Sequence, residues 1–463
     1  MHRVSINGKI YYAENGTLLS DIIISSGEAH PHPCGKMGTC KKCTLTVNGK
    51  EELSCRYKIY SDITVITHNE SIVSENLTES VLSVENAENT VLALDIGTTT
   101  LALGVVDINT KKIIKQISDT NPQRVFGSDV ISRIAYSEKN GVEGLNKVLI
   151  KKINEMISRI ESFSGDTLYV SGNTVMLHLF FGIDCSSLGK APYTPVFLDA
   201  KEASGEVLGL HGIKTVYSLP LVSAFIGADI TAGLNLVQHP PEGKYSLFVD
   251  LGTNAEIVLF TKNRFLCTSA AAGPCFEGVN ISCGMSAEEG AIFEYRSGSN
   301  FKTINGAKAK GICATGLIDI ISVLRRNEII DEYGFMESES FRISDGVYLT
   351  REDIRHFQNA KSAIFSGIKA LIQKEGITYA DIHNLFVSGG FSHKLNIENA
   401  AYAGLFPKEL INKFVPLNNS SLLGTAKFAA EKNDLAHITK NAEYHDLATN
   451  AKFAEMFIEN MLF

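Results

Sequence analysis

Four cysteines fall within one short stretch of the chain, as Cys34-x5-Cys40-x2-Cys43 followed by Cys55. Thiolates are soft ligands, and four within loop reach of one another suit an iron–sulfur cluster or a zinc ion. Gly35 and Gly38 let the loop turn its amide N–H groups toward the sulfurs, where they would offset the charge of a cluster. A [2Fe–2S] cluster would take Cys34, Cys40, Cys43 and Cys55; a structural four-cysteine zinc site is the alternative, and colour separates the two. Cys267, Cys275 and Cys283 recur at regular intervals further on. Free cysteine is among the most buried residue types, so buried thiols are expected there.

A second chemistry is written twice. Asp95-Ile96-Gly97-Thr98-Thr99-Thr100 and Asp250-Leu251-Gly252-Thr253-Asn254 each follow an apolar strand and lead into another. In such a turn, backbone N–H groups can converge on phosphate oxygens and glycine permits the close approach. Thr98, Thr99, Thr100, Thr253 and Asn254 add side-chain donors, and Asp95 and Asp250 offer carboxylates for a hydrated Mg²⁺ beside the phosphates. One such turn is compatible with an ordinary hairpin; two, both after buried-type strands, point to a shared nucleotide site. Ser388-Gly389-Gly390, after the apolar run 385–387, suits close passage of a ribose or purine. No Gly-x4-Gly-Lys-Ser/Thr sequence is present, so a P-loop is not the basis of binding.

Other polar residues have two readings. Asp229 could position Mg²⁺ or water, or cap the helix that runs on to Leu236. Glu256 could face the γ-phosphate or stand exposed on a strand. His178, among Met176, Leu177, Leu179 and Phe180, reads as a satisfied core histidine.

The elements that must position these groups follow from apolar periodicity. Residues 4–13 form two strands about the turn pair Asn7-Gly8, residues 18–24 an amphipathic helix ended by Gly27, and residues 44–47 a strand before Asn48-Gly49. Strand, strand, helix, loop, strand is the order of a small β-grasp module, placed at residues 1–67. Residues 68–90, rich in Glu, Asn and Ser, read as a linker. From residue 91 to 463, strands alternate with helical patterns such as 144–160 and 353–373, the signature of an α/β architecture. The repeated turn divides this part into two similar lobes, 91–245 and 246–463. Residues 444–463 carry apolar positions at helical spacing and are expected to pack.

With 44% apolar and 20% charged residues the composition is that of a soluble globular protein. No apolar run reaches the length of a membrane span, and the start lacks the pattern of a secretory signal, so a cytoplasmic protein without a membrane role is expected. A net charge of −8 argues against a general nucleic-acid binder and favours a protein partner.

Taken in order, the two Asp-x-Gly-Thr turns, the Ser388–Gly390 element and the run 418–426 resemble the acetate and sugar kinase, Hsp70 and actin superfamily, whose fold is a duplicated, ribonuclease H-like two-lobed ATPase. The cysteine loop resembles that of adrenodoxin-like ferredoxins. Residues 172–178, 225–229, 271–278 and 311–319 narrow the likeness to the reductive activators of corrinoid proteins. That resemblance implies ATP, Mg²⁺ and a [2Fe–2S] cluster as cofactors, with Gly273 and Gly316 joining the nucleotide-binding set. It also implies a corrinoid protein or corrinoid-dependent methyltransferase as partner, an upstream electron donor, and is compatible with a homodimer. The reaction would be one-electron reduction of Co(II) to Co(I), driven by ATP hydrolysis. An adverse gap of about 240 mV is roughly four decades, or ~5.5 kcal/mol, a scale that nucleotide turnover can supply. Two other readings stay open: activation of a non-corrinoid low-potential metalloenzyme, and a redox-sensing module that uses ATP as a switch.

Overall fold

The computed structural model describes residues 1–26, 43–67, 89–160 and 163–463. Cys34, Cys40 and most of the expected linker lie outside the described residues.

The first strands, β1 (His2–Ile6) and β2 (Lys9–Ala13), form an antiparallel hairpin. Its turn residues Asn7 and Gly8 both have positive φ (48° and 86°), the geometry that matches strand twist in a two-residue turn. Helix α1 (Leu19–Ser26) follows, then β3 (Thr44–Val47) and β4 (Lys50–Leu53) about a second Asn-Gly turn, and β5 (Ile63–Ile66). The sheet order is β2-β1-β5-β3-β4. The central β5 is absent from the sequence reading. It is only four residues long, and its place is fixed by Ile63 and Val65 entering a core with Val4, Ile6, Leu19, Ile23, Leu45 and Val47.

Two six-stranded sheets built to one plan make up the rest. In the first lobe come β6 (Thr90–Ile96), β7 (Thr100–Asp107), β8 (Lys112–Thr120), α2 (Val130–Asn140), α3 (Glu143–Ser158), β9 (Thr167–Gly172), α4 (Thr174–Phe180), β10 (Glu202–Ser204), β11 (Thr215–Ser218) and α5 (Ala228–Leu236). The sheet order is β10-β11-β9-β6-β7-β8, with β6, β9 and β11 parallel and β7 and β8 antiparallel to their neighbours.

The second lobe opens with β12 (Tyr245–Leu251), β13 (Ala255–Phe260) and β14 (Phe265–Ala270). A three-stranded insert of β15 (Ala291–Ser297), β16 (Asn300–Thr303) and β17 (Gly311–Ile312) leads to α6 (Ala314–Arg326). After the hairpin β18 (Ser340–Ser344) and β19 (Val347–Thr350) come the long α7 (Arg351–Glu375), β20 (Ile382–Ser388), α8 (Ile397–Tyr402), β21 (Phe414–Pro416), α9 (Ser420–Glu431), α10 (Ala436–Lys440), β22 (Ala442–Tyr444) and α11 (Phe453–Glu459). The main sheet runs β21-β20-β12-β13-β14-β22. Three antiparallel strands flanked by a parallel one thus occur twice, which is the duplicated actin-like ATPase fold.

The strands beneath the two Asp-x-Gly-Thr turns are apolar on both faces because helices cover both. Leu92, Leu94, Ile96 and Leu168 are fully buried in one lobe, Leu247, Val249 and Leu385 in the other. Each such side chain contributes about 1.5–3 kcal/mol. The lobes exchange helices. Leu422 and Ala426 of α9, late in the chain, pack on Ala93, Ala102 and Val106 of the first sheet, while Gly233 of α5 lies against Phe248 of the second. The two helices meet backbone to backbone: a Cβ at Gly424 would sit 1.9 Å from the Ala232 carbonyl oxygen. In the sequence-expected tail a short 3₁₀ turn (Leu447–Thr449) and α11 are helical, beyond β22.

Among the described residues no helix is long and apolar enough to cross a membrane. His178 is fully buried, with Nδ1 2.7 Å from the Thr174 carbonyl and Nε2 accepting from the Val196 amide at 3.0 Å, a satisfied core histidine. Cys267 and Cys275 are buried, and burial pushes each thiol up to about 12. Cys283 departs from the expectation: it is half-exposed, accepting from the Tyr348 amide at 3.5 Å, because it lies at the margin of the β18–β19 hairpin.

Gly424→Ala is expected to cost stability, since a carbonyl oxygen held in a helix cannot yield as a side chain does. A loss of about 1–3 kcal/mol should lower the urea midpoint of the ATPase part. An unchanged midpoint would mean that α5 and α9 can move apart freely.

Candidate functional site

The two Asp-x-Gly-Thr turns join β6 to β7 and β12 to β13, and they face the cleft between the lobes. Strand register explains why their carboxylates meet. Ser388, Asp250, Glu256 and Ser269 are directly opposite one another across β20, β12, β13 and β14, and opposite residues project from the same face of a sheet. In the other lobe Asp95 stands opposite Ser171. Asp229 enters from the first turn of α5, its Oδ1 accepting from the Ile230 amide at 2.9 Å. Asp95, Asp229, Asp250 and Glu256 are each half-buried and close enough to repel one another.

Burial pushes the Asp95 carboxyl up to about 6, against the pull of hydrogen bonds from Ser421 and Asn419. Burial and then the charge of Asp95 push Asp250 up to about 7. Burial, Asp250 and Asp95 push Asp229 up to about 8, and Glu256 is raised well above the ordinary carboxylate range by burial, Asp229 and Asp250. Such a group calls for a counter-cation. Among the described residues no three of these side chains converge tightly enough to chelate one ion. The arrangement therefore suits an ion that keeps its waters and takes oxygen ligands from a phosphate chain, as Mg²⁺ does.

The first turn is braced from beneath. A Cβ on Gly97 would lie 2.6 Å from the Thr100 carbonyl, so only glycine closes this turn. Asn121 donates to the Gly97 carbonyl at 2.8 Å, and the Thr98 hydroxyl accepts from Asn173 at 3.0 Å, which leaves its own hydrogen free to donate. Arg133, fully buried, holds the Thr98 carbonyl at 2.5 Å and the Gly127 carbonyl at 3.0 Å. Burial lowers its guanidinium to about 9, where it is still charged at neutral pH. In the second turn a Cβ at Gly252 would make only an ordinary contact, 3.5 Å from the Asn254 carbonyl oxygen, and the Gly252 amide bonds that carbonyl at 3.0 Å.

The third element is fixed by a glycine requirement too. Gly389 has φ +113°, and a Cβ there would lie 2.3 Å from the Leu251 carbonyl. Gly390 beside it is exposed. The start of α9 ties this element to the Asp95 side of the cleft. Ser420 Oγ is 2.6 Å from Ser388 Oγ, while Ser421 donates to Asp95 Oδ1 at 2.7 Å and lies 2.9 Å from Ser171 Oγ. Asn419 caps the helix and also reaches Asp95. Gly273, φ +77°, has open space around it in the turn before the 3₁₀ helix Pro274–Glu277.

Gly316, expected in the nucleotide-binding set, has a packing role of its own. It lies inside α6, and a Cβ there would be 2.0 Å from the Ile292 carbonyl, so packing of α6 on β15 accounts for it. Residues the sequence reading did not single out also enter the site: Arg133, Asn173, Asn419, Ser421 and Glu277. Glu277 accepts from the hydroxyls of both Thr99 and Thr253. The Asn-Ser-Ser run ahead of an apolar helix was a legible signal; a single arginine in an amphipathic helix was not.

Of the cysteine set, Cys43 and Cys55 are described. Both are buried, on either side of the β3–β4 hairpin, with Sγ atoms 3.3 Å apart. That is too far for a disulfide bond of about 2.05 Å. It is near the ~3.8 Å separating two thiolates on one tetrahedral metal at about 2.3 Å from each. The pair fits a shared iron or zinc.

Comparison with known proteins gives concordant matches. Residues 90–239 match the RACo middle region, and residues 244–463 match the C-terminal domain of RACo, described as the ASKHA domain. The corrinoid activation enzyme RamQ of Eubacterium limosum is 30% identical, over 80% of this chain and 70% of its own. The [Co(II) methylated amine-specific corrinoid protein] reductase of Methanosarcina barkeri is 26% identical, over 79% and 76%. A solved reductive activator for a corrinoid, iron–sulfur protein superposes with TM-score 0.73 at 25% identity, over 100% of this chain and 98% of that one.

The carboxylate cluster makes stability depend on pH in an uncommon direction. Asp95, Asp229 and Asp250 titrate from 3.8 upward when unfolded but near 6, 8 and 7 when folded. Between those limits the folded chain binds more protons, so stability falls as pH rises from about 4 to about 8. Thermal unfolding in EDTA should show Asp250→Asn flattening this dependence and raising Tm at pH 8. Parallel curves for variant and wild type would contradict the cluster.

Proposed function

The chain belongs to the RACo family of reductive activators of corrinoid proteins, and on that premise we propose how its residues perform the ATP-dependent reduction of a Co(II) corrinoid protein to Co(I). The observation that carries the reading is the meeting of two Asp-x-Gly-Thr turns and four carboxylates in one cleft, in a chain that also brings two buried thiols together.

ATP would lie with its phosphates between the turns. The hydroxyls of Thr98, Thr99, Thr100 and Thr253, the Asn254 amide and the turn N–H groups at Gly97 and Gly252 would hold phosphate oxygens. Ser388, Gly389 and Gly390, with Gly273 opposite, leave room for the adenosine. Asp95 and Asp250, on facing strands, would hold the hydrated Mg²⁺ between them. Asp229 and Glu256 would orient the attacking water; burial and the neighbouring carboxylates favour their protonated forms in the free cleft, and the charge of a bound Mg²⁺ would return them to carboxylates able to take the water's proton. Ser421 and Asn419 hold Asp95 in position.

Cys34, Cys40, Cys43 and Cys55 would hold a [2Fe–2S] cluster, which when bound supplies one electron at low potential. An upstream donor restores that electron, and the acceptor is the Co(II) of a corrinoid protein or corrinoid-dependent methyltransferase. Hydrolysis can drive an uphill transfer only if nucleotide distinguishes the free from the partner-bound chain. A site made of two lobes joined by exchanged helices has the means, because closing on phosphate shifts α5 and α9 with respect to both sheets. This reading places the protein in the cytoplasm and accommodates a homodimer.

Prepared without oxygen, the protein should carry iron and acid-labile sulfide in the ratio of a [2Fe–2S] cluster; zinc in a colourless protein would end the electron-transfer reading. With donor, ATP and a Co(II) corrinoid protein, the Co(I) spectrum should appear, and omission of ATP should arrest it. Asp250→Ala should lower ATP hydrolysis by at least about 100-fold with the cluster spectrum intact. Cys40→Ser should leave hydrolysis in place and abolish cobalt reduction. Partner-stimulated hydrolysis without any cobalt reduction would point to a different low-potential target.

A further inference from the structure

Glu277 ends the 3₁₀ turn Pro274–Glu277, whose Cys275 and Phe276 are buried in the core of the second lobe. The next residue, Gly278, is left-handed, and a Cβ there would meet the Met285 amide nitrogen at 2.5 Å, so the turn has little freedom to move. From this rigid mount one carboxylate spans the cleft. Oε1 accepts from the Thr253 hydroxyl of the second turn in a short contact, and Oε2 accepts from the Thr99 hydroxyl of the first turn at 3.4 Å. Arg133, buried beneath the first turn, is attracted to the same carboxylate.

A threonine hydroxyl has one hydrogen to donate. While Thr99 and Thr253 give theirs to Glu277, neither can give it to a phosphate, and two anions cannot share the space between the turns without strong repulsion. We propose that Glu277 is a clasp: without nucleotide it holds the two phosphate turns together across the cleft, and the phosphates of ATP displace it by taking over its donors. The inference rests on the nucleotide reading of the cleft and adds to it a positioning residue that sets the affinity for ATP. Ligand entry would then be an exchange of one anion for another, with the freed Glu277 side chain reporting occupancy to the turn that carries it.

Removing the clasp should tighten binding of a non-hydrolysable Mg²⁺-ATP analogue about three- to tenfold in Glu277→Ala, the scale of one charge-assisted hydrogen bond partly replaced by water. Loss of negative charge alone would also favour ATP, so the deciding measurement is a double-mutant cycle with Thr253→Val. In the wild type the Thr253 hydroxyl exchanges Glu277 for phosphate, and Thr253→Val should change Kd less than about twofold. In the Glu277→Ala background the hydroxyl serves phosphate alone, and the same substitution should weaken binding about fivefold or more. Glu277→Gln, which keeps the shape, serves if the alanine variant does not fold. It should lower the Tm of the nucleotide-free protein and leave that of the analogue-bound protein unchanged. Additive effects of the two substitutions, or analogue binding no tighter without Glu277, would overturn the clasp. Failure of the wild type to bind the analogue would instead remove the nucleotide reading on which it rests.

Discussion

Four carboxylates forced together at the floor of a cleft govern how the rest of the molecule is arranged. Asp95, Asp229, Asp250 and Glu256 are held close by strand register and by the first turn of α5; burial raises every one of them, and neighbouring carboxylates raise Asp229, Asp250 and Glu256 further. A site of this kind is unfavourable until a proton or a cation enters, and in the proposed reading a metal–phosphate ligand would meet that need by bringing positive charge to the carboxylates and negative charge to the turn donors at once. The surrounding hydroxyls and buried strands supply the stability that the cluster withholds.

The duplicated sheet answers the geometric need. A single β–turn–β unit can present an Asp and a set of N–H donors to one side of a phosphate chain; two facing units enclose it. Fixing their separation falls to α5 and α9, which cross where Gly424 and Ala232 allow backbone contact. The start of α9 then bonds to both sides of the site, through Ser420 to Ser388 and through Ser421 to Asp95. A ligand that shifted one lobe would therefore shift this helix, and in the proposed reading occupancy of the cleft would become a change in lobe arrangement that a bound partner could sense.

The smaller module depends on a different economy. Among the described residues its core is ten buried side chains around five short strands, little apolar area for a freestanding domain. Cys43 and Cys55 approach each other beside the β3–β4 hairpin, so in the proposed cluster reading two thiols would already stand together, which would lessen the ordering that a cluster imposes.

Local signals carried most of what could be read before folding. Asn7-Gly8 and Asn48-Gly49 mark hairpins because they need positive φ; the Asp-x-Gly-Thr turns, the Gly389-Gly390 pair and the cysteine spacing are visible because their chemistry is contiguous in the chain. Glu256 and Asp229 were visible only as residues with two meanings; register sets Glu256 opposite Asp250, and the first turn of α5 brings Asp229 to the same group. Four things lay beyond the reach of sequence. The short β5 shows no pattern until β1 and β3 flank it. Gly316 shares the look of a ligand-site glycine but is explained by the carbonyl of Ile292. Arg133 and Glu277 act across distances in sequence that no local pattern records, one from beneath the first turn and the other from the far lobe. The sequence by itself determined which chemical groups the protein possesses and the turns that display them, since those depend on neighbours along the chain. Only the tertiary structure decided which groups face one another, because burial, repulsion and the competition of a carboxylate with a phosphate for the same hydroxyl hydrogens are properties of residues brought together in space.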